Sequence, residues 1–205
     1  MNHLKMSPRC DFDIPFTSLL PKYRGASPVE SAILNGDMET GVTIQKMKFE
    51  MDSGPIIAQE KVNIFPDEKA SELRTRLIKV GGDLLIKTLN TPSASGTSPY
   101  IGGGWVGVEQ DESQATFCKK IKKEDGLVDL NDDPIKNYNK FRAYATWPRT
   151  FFFKDGKRII ITDAKLENNQ FVIKRVIITK TSLEDGKFII EKIIPENGKE
   201  MDYKN

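Results

Sequence analysis

The order of apolar and polar positions divides the chain into stretches of different period. In "SPVESAILNG", residues 27–36, Val29, Ala32 and Ile33 form an apolar stripe at helical spacing behind a start signal. Ser27 takes the cap position, Pro28 suits the first helical position, and Glu30 completes an S-x-x-E capping box. Asn35-Gly36 supplies the stop. "GVTIQKMKF" alternates instead, which predicts a strand with Val42, Ile44 and Met47 inward; "MDSGP" breaks it and "IIAQEKVNI" predicts its partner. Over residues 67–89, Ala70, Leu73, Leu77, Val80 and Leu84 return to the helical period, and a long amphipathic helix is predicted.

Residues 91–108 are rich in Gly, Ser, Thr and Pro and carry no period, which places a domain linker over 91–112; a long surface loop is the alternative. Asp133-Pro134 then opens a helix whose buried face would hold Ile135, Tyr138 and Phe141 or Arg142. "TFFF", "RIIIT", "FVIKRVIIT" and "KFIIEKII" follow, separated by Asp155-Gly156, Asn168-Asn169 and Asp185-Gly186. Short strands joined by such turns predict a small antiparallel barrel or sheet.

With 38% hydrophobic and 29% charged residues, the 205-residue chain is long enough for one large domain or two small ones, and nothing in its composition argues for disorder. No apolar run approaches the roughly 20 residues of a spanning helix. The N-terminus has no signal-peptide pattern, so no membrane role and a cytoplasmic address are expected. Cys10, Cys118 and the single His3 offer neither a disulfide framework nor metal-ligand spacing, so no metal site and no histidine triad are expected. The net charge of +2 is uneven: 19 Lys and Arg meet 14 Asp and Glu from Lys119 onward, against 12 and 15 before it. That split suggests two units with different partners, or chance segregation on solvated faces.

"SLLPKYRGASPVESAILNGDMETGVTI" followed by "MDSGPIIAQEKVNI" resembles the formyltransferase family in its methionyl-tRNA form, and "QATFCKKIKKEDGLVDL" with "FRAYATWPRTFF" resembles that family's C-terminal domain. The first stretch is shared with ribonucleotide and sugar-nucleotide formyltransferases, which remain the alternative substrates; the combination is more specific. The resemblance implies an α/β chain: a non-matching leader at 1–16, the C-terminal part of a Rossmann-like formyltransferase domain at 17–90, the linker, and an OB-like β-barrel that binds tRNA at 113–205. The implied reaction moves a formyl group from 10-formyltetrahydrofolate to the α-amino group of methionyl initiator tRNA, in a monomer without metal.

The resemblance also assigns residues. Ser18, Leu19, Leu20 and Pro21 would contribute backbone polar groups and apolar walls to the pterin end of the folate pocket. Asp52 would take the proton of the attacking amine, although an Asp near a Gly is by itself a turn signal. Lys119, Lys120, Lys122, Lys123, Arg142 and Arg149, with Lys154, Lys157 and Arg158, would meet tRNA phosphates; a solvated face is the alternative. Trp147 and the aromatic run at 151–153 admit base stacking, against a packing corner and a core strand.

One departure stands out. The family's N-x-H pair before S-L-L-P falls on Ile14 and Phe16, and neither side chain can polarise a carbonyl. About a hundred family residues would also precede this point. Loss of their strands would expose the edges of a parallel sheet. Little autonomous activity is therefore expected, with sequence joined by a frameshift near residue 17 as one explanation and a non-catalytic tRNA-binding remnant as the alternative function.

Overall fold

The computed structural model describes residues 16–90, 100–101, 104–105, 107–184, 187–194 and 201–202. Residues 1–15 of the 1–16 leader, Ile14 among them, most of the predicted linker, and the Asp185-Gly186 turn lie outside the described residues. The chain divides into two compact units. The first takes described residues within 16–32, 37–65 and 72–120; the second takes those within 33–36, 66–71 and 121–202.

In the first unit, β1 (Arg24–Gly25) leads into α1 (Pro28–Leu34), the helix predicted from its stripe, whose end from Ile33 onward is grouped with the second unit. Val29, Ala32 and Ile33 are buried, and the Gly36 N–H closes the end on the Ile33 carbonyl with φ +73°. The predicted capping box does not form. The Ser27 hydroxyl donates to the Lys119 carbonyl, and the Glu30 carboxylate pairs with Arg74. A long-range acceptor and a long-range cation outcompete the reciprocal local bonds.

Strands β2 (Glu39–Gln45) and β3 (Ile56–Asn63) form the predicted antiparallel pair, with Thr43 opposite Gln59. The alternation read from the sequence was too simple. Every residue of β2 after Glu39 is buried, and Phe16 bridges Thr43 on the edge away from β3. A strand paired on both edges and covered on both faces needs no polar side, so Thr40, Thr43 and Gln45 are buried with Val42 and Ile44. Met47, expected inward, is 53% exposed because β2 ends before it. Helix α2 (Ala70–Asn90) buries Ala70, Leu73, Leu77 and Leu84 as its period requires. Two short pairs complete the unit: β4 (Tyr100–Ile101) with β5 (Gly104–Trp105), antiparallel, and β6 (Phe117–Cys118) with β1, parallel. Residues 107–112, assigned to the linker, and 113–120, assigned to the barrel, are grouped with the first unit.

The second unit carries α3 (Pro134–Ala143), whose Asp133 cap accepts from the N–H groups of Ile135 and Lys136. Its buried residues are Asn137, Tyr138, Asn139, Phe141, Arg142 and Ala143. Ile135, expected on the buried face, is 47% exposed; it lies in the first turn of the helix, before the first buried residue, Asn137. The sheet is a meander of β7 (Phe151–Lys154), β8 (Lys157–Glu167), β9 (Gln170–Glu184), β10 (Lys187–Ile194) and β11 (Met201–Asp202), each antiparallel to the next. Asp155-Gly156 and Asn168-Asn169 join their strands as two-residue loops with positive φ at both positions, the geometry that matches strand twist. Strands β7 and β11 do not pair, so the described strands close no barrel.

Irregularities in β8 shape the core. Ile159 and Ile161 are buried, but after the bulges around Asp163 the inward positions become Ala164 and Leu166. An extra residue switches which parity faces the core; the first irregularity puts one in β8 and the second puts one in β9. Val128, Tyr138, Phe141, Ile161 and Ala164 form the centre, with Phe152, Leu166, Phe171 and Ile173 packed against it. No helix among the described residues is long and apolar enough to cross a membrane.

Candidate functional site

Asp52 sits in the tight connection between β2 and β3 with φ +55°. The turn closes through a bond from the Lys46 N–H to the Pro55 carbonyl (2.8 Å) and a weak one from Ser53 N–H to Glu50 (3.4 Å). Gly54 is obligatory here, since a Cβ would lie 1.6 Å from the Lys46 carbonyl oxygen. Its N–H donates to Gln45 Oε1.

The turn is then fastened by residues distant in sequence. The Gly25 N–H donates to Asp52 Oδ2 at 2.7 Å. Gln110 Nε2 donates to the carbonyls of Asp52 (2.9 Å) and Gly54 (2.7 Å), and its Oε1 accepts from Arg24 Nε and Nη2. Arg24, 3% exposed, makes a bidentate pair with Glu112 at 2.8 Å on both oxygens. The bond to Glu112 raises the Arg24 guanidinium above its ordinary pKa against the opposing effect of burial, and the charges of Glu112 and Asp52 add to the rise. The same pair holds the Glu112 carboxyl below its ordinary range. Gly25, at φ +119°, is also required: a Cβ would come within 2.5 Å of the Cys118 carbonyl oxygen. The half-buried Asp52 carboxylate is thereby held at a set position beside a buried cation. The sequence signal for this network was the K-x-R-G loop at 22–25; its partners Gln110 and Glu112 lay hidden in the segment read as linker.

The Ser18, Leu19, Leu20 and Pro21 stretch is anchored to the same strand. Ser18 is fully buried, with its hydroxyl donating to the Lys22 carbonyl and its own carbonyl accepting from Thr43 Oγ1. The Leu20 N–H donates back to Thr43 Oγ1, and the Leu20 carbonyl accepts from Gln59 Nε2. The Leu19 side chain fills the space that a Cβ on Gly41 would need, 2.5 Å from Leu19 Cδ2. Thr43 holds this stretch and Gln45 holds the Asp52 turn, so two positions on one face of β2 organise both segments. The Phe16 backbone is committed to Thr43 in both directions (2.8 and 2.9 Å), which leaves that position only an apolar side chain to offer.

The basic residues divide differently from the expectation. Lys119 and Lys120 belong to the first unit, Lys122 and Lys123 to the second. Lys119, Lys120, Lys122 and Arg149 are exposed and Lys123 is half-buried. Arg142 is withdrawn from that set. It is 7% exposed, donates to the Glu68 carbonyl and to Asn139 Oδ1, and lies over the Tyr138 ring, so it ties the core together and cannot meet a phosphate backbone. Burial pushes its pKa down. Arg158 is likewise buried, 3.7 Å above the Phe151 ring. Of the aromatic candidates Trp147 is 54% exposed and Phe153 47%, whereas Phe151 is in the core. Among the described residues no group of three His, Cys, Asp or Glu could hold a metal ion.

Comparison with known proteins places this arrangement. A model described as "Formyl transferase" matches residues 16–89, and one described as "Formyl transferase, C-terminal domain" matches residues 120–205. The methionyl-tRNA formyltransferases of Treponema pallidum and Roseiflexus castenholzii are 41% and 42% identical over 155 and 153 residues, which is 76% and 75% of this chain and 46% of each relative. The chain thus spans about half the length of the curated relatives it matches. Among solved structures, methionyl-tRNA formyltransferase from Clostridium thermocellum aligns with TM-score 0.62 at 18% identity, over 86% of this chain and 67% of that one. An N-formyltransferase from Helicobacter canadensis, in complex with folinic acid and dTDP-3-aminofucose, aligns with TM-score 0.62 at 19% identity, over 89% and 60%. At these identities the two structures show a shared α/β fold.

Proposed function

The chain belongs to the formyl transferase family, and from that premise we propose that it serves methionyl-tRNA formylation, the transfer of a formyl group from 10-formyltetrahydrofolate to the α-amino group of methionyl initiator tRNA. The observation that carries the reading is the Asp52 carboxylate, which lies inside the segment that matches the family and is fastened by Gly25, Gln110 and the Arg24–Glu112 pair. As the amine nitrogen bonds to the formyl carbon and the bond to the folate N10 breaks, the amine proton leaves to Asp52, directly or through a water, and N10 recovers a proton. Ser18, Leu19, Leu20 and Pro21 wall the pterin end. The carbonyls of Ser18 and Leu20 each keep a second lone pair beside the bond they already accept. In the second unit we read the meander as the wall of an OB-like barrel, with Lys122, Lys123 and Arg149 toward tRNA phosphates; Lys119 and Lys120 of the first unit are read as phosphate contacts of their own.

A second reading, tRNA binding without transfer, is favoured by the commitment of the Phe16 backbone and the absence of a donor in its side chain. Formyl transfer from 10-formyltetrahydrofolate, measured beside methionyl-tRNA binding, separates the two. The formylation reading expects tRNA binding with slow transfer. Ile14→Asn with Phe16→His should raise the rate by about 10²-fold, the worth of one restored oxyanion donor, and Asp52→Asn should lower it by about 10²-fold. Binding with no transfer from any variant would leave the second reading, and no binding at all would refute both.

A further inference from the structure

We propose that the second unit contains a phosphoryl-binding pocket bounded by Lys69, Phe141, Arg149, Thr150, Ile161 and Thr162. The cavity has a volume of about 220 Å³. That is several times the roughly 30 Å³ share of one water, and a phosphate group with its ester oxygen fits.

Two hydroxyls mark it as a site rather than a packing gap. Thr150 is 1% exposed, and its Oγ1 and that of Thr162 are buried without any hydrogen-bond partner. A buried hydroxyl left without a partner is destabilising, so a pair beside one cavity calls for a ligand. The sheet fixes Thr150 beside Ile161, whose N–H donates to the Thr150 carbonyl at 2.9 Å, and Thr162 follows Ile161 at the irregularity in β8. The charge at the cavity is positive: Lys69 reaches over the Phe141 ring at 5.7 Å, Arg149 lies at the boundary, and none of the lining residues is acidic. Arg149 is exposed, and its guanidinium has no hydrogen bond or ion pair among the described residues. It occupies φ +65°, a conformation that a residue with a Cβ rarely takes. Backbone outliers of that kind gather at ligand sites.

Two hydroxyl donors, an ammonium and a forked guanidinium suit a tetrahedral anion with several oxygens better than a planar carboxylate with two. The ligand chemistry is therefore a phosphate ester. It comes either from the backbone of the tRNA, in which case the assignment rests on the reading above, or from free phosphate or a nucleotide.

The test titrates inorganic phosphate into the full chain and follows the backbone amide resonances of Thr150 and Thr162, with tRNA binding measured in parallel across salt concentrations. Thr150→Val and Thr162→Val replace unpaired hydroxyls by isosteric methyls, and Arg149→Gly puts a glycine where φ suits it, so all three variants should fold. Saturable phosphate-dependent shifts in the parent, lost in the variants, establish the pocket. If the tRNA affinity of Arg149→Gly then falls about tenfold and its log–log salt slope drops by roughly 0.7–0.9, the phosphate is the backbone's. Phosphate shifts with unchanged tRNA affinity assign the pocket to a free phosphate or nucleotide. Absence of shifts at Thr150 and Thr162 up to millimolar phosphate, with tRNA binding equal in parent and variants, overturns the proposal. A parent that fails to bind tRNA defeats the functional reading alone, since the phosphate titration stands without it.

Discussion

Asp52 in the first unit and Asp155 in the second occupy nearly the same backbone conformation, φ 55° and 52°, each in a turn that contains glycine. Their surroundings differ. The Asp155-Gly156 turn joins two adjacent strands, and a Cβ on Gly156 would meet nothing within 4 Å. The Asp52 turn has no room for a Cβ on Gly54, and it is held by Gly25 from 27 residues before it and by Gln110 from 58 residues after. One turn closes a hairpin by its own geometry, and the other is assembled by the tertiary structure around a carboxylate. The same local signal thus serves a connector in one place and a candidate catalytic group in the other.

The largest expected effect lies at those two glycines. Gly54→Ala forces a methyl into the Lys46 carbonyl and should destabilise the first unit by about 4 kcal/mol or more, whereas Gly156→Ala should cost only the 1–2 kcal/mol or so of a left-handed alanine. Urea unfolding combined with residue-resolved hydrogen exchange measures both. Equal costs would erase the distinction between the turns.

The second unit has a long-range polar tie of its own, the bond from the Tyr138 hydroxyl to Asp67 at 2.7 Å. Burial first, and then that bond, push the phenol from 10.0 up to about 12. The folded state holds the proton that the unfolded state releases, so the contribution of this group is complete below pH 10 and is lost as pH rises from 10 to about 12. Tyr138→Phe should abolish that slope and cost about 1 kcal/mol at neutral pH, read from denaturation midpoints across pH. A slope that survives the substitution would place the titrating group elsewhere.

The smallest effect sharpens the local side of the comparison. Asn169 sits at φ 58° in the β8–β9 turn, and Asn169→Gly should change stability by no more than about 0.5 kcal/mol, because the turn already uses a residue that tolerates this region. A loss above 2 kcal/mol in the same unfolding assay would reveal a role for the Asn169 side chain beyond the turn.

What the sequence determined by itself was everything decided within a few residues. The stripe of α1, the period of α2, the Asp133-Pro134 start of α3 and the two positive-φ hairpins depend on backbone geometry and on neighbours three or four positions away, so their residue types announce them. The Asp52 segment was legible as a turn for the same reason, and its candidate role came from the resemblance of the surrounding motif to a family. Only the tertiary structure decided which polar groups became interior. It buried β2 on both faces, drew Ser27 to Lys119 and Glu30 to Arg74 in place of a capping box, and converted Arg142 from a phosphate candidate into a core tie. It also brought Arg24, Gln110 and Glu112 together around the Asp52 turn. A buried polar side chain is stable only when its partner is in place. Arg24 and Gln110 stand 86 residues apart, so neither one's local sequence carries a sign of the other.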